Sequence, residues 1–272
     1  MSKEVQDFWD NRPCNIKHSD KPVGSREYFD EVEARKYFVE PHIPPFAQFE
    51  RWRGKQVLEL GCGIGTDSLN FARAGAKITL VDVSNRSLFL TWLRFKIFGL
   101  VDQLGGLYSG DMEQLSLFLP KQKFDLIYAF GSVHHTGHPE RVLQEIKQYC
   151  HAGTEIRLML YARRSWRVLE ILLKEGRGKF WRLKELVQQH SEAQTGCPVT
   201  FSYTEKEVRD LLRDFEITSI QKDHIFPFVV SEYVKYQYKR KFLFRVMPQR
   251  MFKWMERHFG WHYLIVAKAR QK

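Results

Sequence analysis

The chain has 272 residues, 43% of them hydrophobic and 28% charged, which is ordinary globular usage and excludes a wholly disordered chain. Its formal net charge is +11, and its longest uninterrupted apolar runs (LIYAF, LMLYA and YLIVA) are far short of the ~20 residues of a spanning helix. Four cysteines (Cys14, Cys62, Cys150 and Cys197) without a CxxC spacing argue against a disulfide framework or a structural zinc site.

The chain opens on MSKEVQDFWD, which has no apolar signal core, so a cytoplasmic protein is expected. Residues 1–54 read as an N-terminal cap or lid, rich in aromatics. Pro41, Pro44 and Pro45 interrupt the helix begun at EYFDEVEARKYFVE. From Lys55 to the end, short apolar runs alternate with amphipathic stretches. KQVLEL, AKITLVDV, FDLIYAF, EIRLMLYA and HYLIVAKA read as strands, and EITSIQKD as a weaker one. DSLNFARA, SLFLTWLRFKIF, ERVLQEIKQYC and TEKEVRDLLRDF read as helices, the last with Thr204 as N-cap and Glu207 three residues on. This alternation predicts an α/β domain over 55–272, with a Rossmann-like, doubly wound, mostly parallel seven-stranded sheet and helices on both faces. Helical, basic insertions are expected at about 162–202 and 226–260.

The segment VLELGCGIGTDSLNFARAGAKITLVDVS carries the chemistry. A strand ends at Glu59-Leu60, a loop follows with Gly61, Gly63 and Gly65, and a helix begins near Thr66. Glycines there permit a tight turn and a close backbone approach to a ligand. The next strand ends in Asp82, 21 residues after Gly61, where a carboxylate accepts from two ribose hydroxyls. A dinucleotide fingerprint would need glycine at position 66, and Thr66 stands there. Glu59, just before the loop, suits a cationic ligand better than a pyrophosphate.

These residues make the chain resemble the class I S-adenosylmethionine-dependent methyltransferases of the small-molecule type, from about Lys55 to Lys268. The resemblance implies S-adenosylmethionine as methyl donor and S-adenosylhomocysteine as product. It implies cofactor contacts from Glu59, Gly61, Gly63, Gly65, Asp82 and Val83. YSGDMEQL supplies Asp111 for the adenine amino group and Met112 beside the ring. FDLIYAFGSVHHTGHPERVLQEI supplies Phe130 and Gly131 near the transferring methyl, then His134 and His135. CHAGTEI departs from the family's Pro-Gly-Gly turn, with Gly153 alone. Asp111 is equally well placed to cap a short helix.

His134, His135 and His138 spell HHxxH, but no matched carboxylate or cysteine accompanies them, so no metal is assigned. His134, with His135 beside it, is the candidate base for an acceptor O–H or N–H. Hydrogen bonding to loop backbone competes evenly with that role. Tyr28, Arg35, Tyr37 and Glu40 of the cap, with Tyr161, are candidate acceptor-lining residues.

Two absences narrow the acceptor. The position after the fourth strand reads AFGS and not the Asn/Asp-Pro-Pro-Tyr/Phe tetrad of base amino methylation. No Pro-Cys nucleophile stands in that loop. A small or amphipathic organic acceptor is therefore expected, with nucleic acid disfavoured.

Residues 231–272 hold 11 Lys/Arg against 2 Asp/Glu, interleaved with aromatics. A cleft-closing helix pair with a basic outer face ranks first for this stretch, a peripheral membrane contact second and nucleic acid third. An RNA- or lipid-associated methyltransferase, a noncatalytic cofactor-binding subunit and an NAD-dependent oxidoreductase are the rival readings. The acceptor, the methylated atom and the oligomeric state stay open.

Overall fold

The computed structural model describes residues 3–176, 180–190 and 197–270. Parts of the expected 162–202 insertion (177–179 and 191–196) lie outside the described residues. The helices are α1 (Lys3–Asn11), α2 (Arg26–Val39), α3 (Ile43–Ala47), α4 (Thr66–Arg73), α5 (Asn85–Ile97) and α6 (Pro139–Lys147). They continue with α7 (Trp166–Lys174), α8 (Leu183–His190), α9 (Glu205–Leu211), α10 (Val230–Tyr233), α11 (Phe242–Val246) and α12 (Gln249–Phe259). The strands are β1 (Gln56–Leu60), β2 (Lys77–Asp82), β3 (Leu104–Ser109), β4 (Phe124–Phe130), β5 (Cys150–Tyr161), β6 (Phe215–Asp223) and β7 (His262–Ala269).

Among the described residues the strands form one seven-stranded sheet in the order β3-β2-β1-β4-β5-β7-β6. β1 to β5 run parallel, and β7 runs antiparallel to both its neighbours. The order reverses between β1 and β4, so the loops after these strands diverge and leave a crevice. Apolar side chains fill both faces: Leu58, Ile127, Ile156 and Leu158 belong to one buried cluster, and Val57, Ile78, Leu80 and Leu126 to the other. Central parallel strands bury both faces, which explains their continuous apolar runs. β6 is largely polar because it is an edge strand with much of its length half-exposed.

Local signals account for the element starts. Thr204 and Glu207 form a reciprocal capping box on α9. Ser84 caps α5, accepting from Ser87 N–H at 3.0 Å. α2 stops at Val39, and Pro44 and Pro45 enter the first turn of α3, where proline's missing N–H costs nothing. Two expected helices are shorter than their apolar periodicity. Cys150 pairs with Phe124 and Phe215 with Ala269, so sheet pairing claims both residues that the helical spacing had assigned to α6 and α9. The expected turn at CHAGTEI lies inside β5, whose register on β4 jumps from Phe124↔Cys150 to Leu126↔Glu155. The extra residues are accommodated by a bulge.

Candidate active site

β1 ends at Leu60 and the backbone turns sharply. Gly61 has φ +75, and a Cβ there would lie 2.3 Å from the Ser132 Cβ, so a side chain does not fit. Gly63 also has positive φ, but its open side meets nothing closer than the Cys14 Cβ at 3.8 Å. Gly65 forms the N-cap of α4. Asp82, at the end of β2, binds the whole arrangement together. Its Oδ2 accepts from Gly63 N–H and its Oδ1 from Ser84 N–H, each at 2.8 Å. Burial pushes this carboxyl up to about 6, against the two backbone donors that pull it down.

The loop is also tied to the cap. Fully buried Arg94 donates to Ile64 O at 3.2 Å, to Thr66 Oγ1 at 2.6 Å and to Phe29 O at 2.8 Å. At the N-terminus of α4, Asp67 accepts from Lys36 Nζ at 2.8 Å, Tyr37 Oη at 3.0 Å and Tyr128 Oη at 3.0 Å. α2 is thus pinned to the sheet through a buried polar cluster.

A cavity of about 560 Å³ opens above the C-terminal ends of β1, β2 and β4. One end is lined by Gly61, Gly63, Asp82, Val83, Met112 and Phe130. The N-terminal segment covers it through Val5, Trp9, Cys14 and His18, and α10 through Tyr233. α1 is held in place by Gln6 Nε2, which donates to Val83 O at 3.2 Å, and by Asp10, which accepts from Ser84 Oγ at 2.8 Å.

The expected site residues divide into two groups. Gly61, Gly63, Asp82, Val83, Met112, Phe130, His135, Glu40 and Tyr161 line the cavity. Glu59, Gly65, Asp111, His134, Tyr28, Arg35 and Tyr37 are not among its lining residues. Glu59 lies beneath the loop, accepting from Ser68 Oγ at 2.6 Å; burial, and then the Asp67 carboxylate, hold its carboxyl above the usual range. Asp111 caps the short turn after β3, accepting from Glu113 N–H at 2.9 Å. Tyr28 is fully buried and donates to Ile16 O at 2.9 Å. Arg35 donates to Tyr233 O at 2.5 Å with its guanidinium 4.1 Å from the ring centroids of Tyr233 and Tyr236, so it fastens α2 to the insertion. Tyr37 belongs to the Asp67 cluster.

The histidines separate as well. His134, the first choice for a base, is fully buried with its ring 3.8 Å from that of Tyr161; burial keeps its pKa well below the usual value. His135 reaches the cavity, and its Nδ1 faces Val199 O at 2.9 Å. Thr200 Oγ1 at 3.2 Å and Cys197 Sγ at 3.5 Å face the same nitrogen. His138 is exposed beside Glu140.

Sequence reasoning missed a group at the other end of the cavity. His224 and His262 line it, with His42 behind them. His42 and His224 are lowered to about 3, and His262 well below its usual value, by burial first. Their imidazoles are therefore neutral. They stand far apart in sequence, so no spacing pattern could reveal them.

A family model described as a methyltransferase domain matches residues 32–229, more than half of the chain. The chain belongs to the class I S-adenosylmethionine-dependent methyltransferases. Among other members it is similar in fold to magnesium protoporphyrin IX methyltransferase from Synechocystis PCC 6803, solved with bound S-adenosylhomocysteine. That comparison has TM-score 0.60 and 14% identity, covering 98% of both chains. It is likewise similar to geranyl diphosphate C-methyltransferase from Streptomyces coelicolor A3(2), with TM-score 0.59 and 11% identity, covering 98% of this chain and 97% of that one. In sequence it is 28% identical over 119 residues to the tRNA U34 carboxymethyltransferase of Hydrogenovibrio crunogenus. That stretch is 43% of this chain and only 34% of the relative's length.

Proposed function

We propose that this protein transfers a methyl group from S-adenosylmethionine to a small, amphipathic organic acceptor held in the covered cavity. The observation that carries the reading is the glycine loop with Asp82 and Phe130 at one end of a cavity that the N-terminal cap and α10 close. Gly63 leaves room for a ligand against the backbone, and the Asp82 carboxylate stands at the rim where a ribose would lie. Met112 and Phe130 supply apolar surface for the adenine and methionine parts. When bound, the cofactor supplies an electrophilic methyl on a positively charged sulfur.

The chain's own task is then mainly alignment and exclusion of water, because a sulfonium already leaves well. Val5, Trp9 and Tyr233 cover the cavity, and Tyr161 with Trp261 offers a stacked aromatic wall at 4.2 Å between rings. The His135 imidazole, which lines the cavity, is the group we assign to take the acceptor's proton as the new bond to the methyl carbon forms. Small molecules are also the acceptors named for the magnesium protoporphyrin IX and geranyl diphosphate enzymes, whose folds span nearly the whole chain.

A lipid-facing location for this chemistry has its own support. Among the described residues no helix is long and apolar enough to cross a membrane. α11 and α12, however, leave Phe242, Val246, Met251 and Trp254 exposed among lysines and arginines. Exposed aromatics beside cations suit an anionic headgroup surface. The test of the acceptor class uses S-adenosylmethionine with a labelled methyl. We expect label in solvent-extractable small molecules or lipids; label in RNA alone would reject the small-acceptor reading.

A further inference from the structure

Three side chains that the glycine loop does not use converge at the far end of the cavity. Glu40 follows α2, His224 follows β6 and His262 opens β7, and all three line the cavity. One potential ligand atom from each lies within 4.8 Å of the other two. Glu40 Oε1 is 3.8 Å from His262 Nδ1, and His42 Nε2 is 3.0 Å from that same nitrogen. Metal bonds of about 2.0–2.2 Å place neighbouring ligand atoms about 3–3.5 Å apart, so a small contraction of this trio would bracket one ion.

Two further observations mark the cluster. His224 has φ +70, a conformation disfavoured for a residue with a side chain, yet the fold holds its ring 4.5 Å from that of His262. His42 Nδ1 is buried without a hydrogen-bond partner among the described residues. The cluster abuts the methyl-transfer end of the sheet: the His262 ring is 5.8 Å from Phe130 and 5.9 Å from Tyr161.

We propose that Glu40, His224 and His262 form a binding site for one divalent first-row transition metal, open toward the cavity. Two imidazoles and one carboxylate suit zinc, cobalt or iron and leave coordination positions for water or an oxygen of the acceptor. His42 Nε2 contacts His262 Nδ1, the nitrogen that faces Glu40, so an ion bound there would take the place of that contact. A hydroxyl or carbonyl oxygen on the acceptor is the group such an ion would hold. That last role rests on the methyltransferase reading; the binding of the ion does not.

The test uses full-length, untagged protein stripped with a chelator, titrated with zinc by calorimetry and with cobalt by visible absorption. One equivalent is expected to bind. Glu40→Gln, His224→Gln and His262→Gln should each weaken it on the order of 100-fold or more. The exposed His151→Ala and the distant Cys197→Ser should leave affinity unchanged. Thermal melting of each variant reports its folding, and half-buried Glu40→Gln decides if a histidine variant does not fold. Absence of stoichiometric binding to the wild type, or unchanged affinity in folded Glu40→Gln, overturns the site. Metal binding without methyl transfer would count against the proposed function and leave the site standing.

Discussion

Asp82 holds two turns at once, and this constrains what its removal does. The carboxylate accepts from Gly63 and Ser84 N–H while facing the cavity, so Asp82→Ala removes both the assigned ribose contact and the brace of the loop. Charge-assisted hydrogen bonds contribute about 1.5–3 kcal/mol each. Calorimetry should therefore show S-adenosylhomocysteine bound at least tenfold more weakly, about 1.4 kcal/mol; equal affinity would remove Asp82 from the ribose. The two adjacent histidines should behave differently. His135→Ala should lower turnover by about 10²–10⁴-fold with little change in cofactor affinity. His134→Ala should instead lower stability, on the order of 3 kcal/mol, because its ring packs in the core. Denaturation and turnover assays on both variants check the split; a fully active His135→Ala would reject the base. The sequence carried the pair HHTGH plainly, but not which ring faces the cavity, since a short turn directs adjacent side chains to different environments.

At the scale of elements, the sequence was legible wherever a local signal and the tertiary context agreed. The capping box at Thr204 and the strand-loop-helix after Glu59 are such places. Thr204→Ala should cost about 1 kcal/mol, read by chemical denaturation, and no loss would mean that packing alone fixes α9. The periodicity overran at Cys150 and Phe215 because each pairs in the sheet, a nonlocal demand that helical spacing does not encode. The cap behaved similarly. Tyr28, Arg35 and Tyr37 have the chemistry of acceptor ligands, but burial and partners on α4, α10 and the N-terminal loop use them to fasten α2 in place. The insertion closes over the cavity through Tyr233 and packs Phe244 and Phe252 onto Ile225, leaving a basic, aromatic outer side. Each lysine or arginine near an anionic surface contributes about 1 kcal/mol. Cosedimentation with anionic vesicles, weakened by salt and absent with zwitterionic ones, is expected; no binding at low salt would make this side a solvated surface.

For the whole molecule, the buried and half-buried histidines set the pH response. Burial lowers His18, His42 and His224 to about 3, and holds His134 and His262 well below their usual value. In the unfolded chain these five take up protons below about pH 6.5, so each withdraws stability as the pH falls from there. Glu59, Asp82 and Glu256 act oppositely: burial raises them, so the folded state takes up their protons first. Five imidazoles outweigh three carboxyls, and stability should fall between pH 6.5 and 5 by about 1–3 kcal/mol per pH unit. Melting temperatures across that range check it, and a flat or rising profile would contradict the assigned neutral histidines. The seven-stranded sheet, the glycine loop and the family were readable from the chain because local patterns repeat in the right order. The far end of the cavity was not, because Glu40, His42, His224 and His262 meet only through the packing of the cap against β6 and β7. The glycine-loop end of this cavity is the place assigned to the methyl donor. Calorimetric titration of the full chain with S-adenosylhomocysteine, run beside NAD, tests it most directly. Saturable binding of one equivalent of S-adenosylhomocysteine and none of NAD is expected; NAD binding in its place, or no binding of S-adenosylhomocysteine by folded protein, would contradict the assignment.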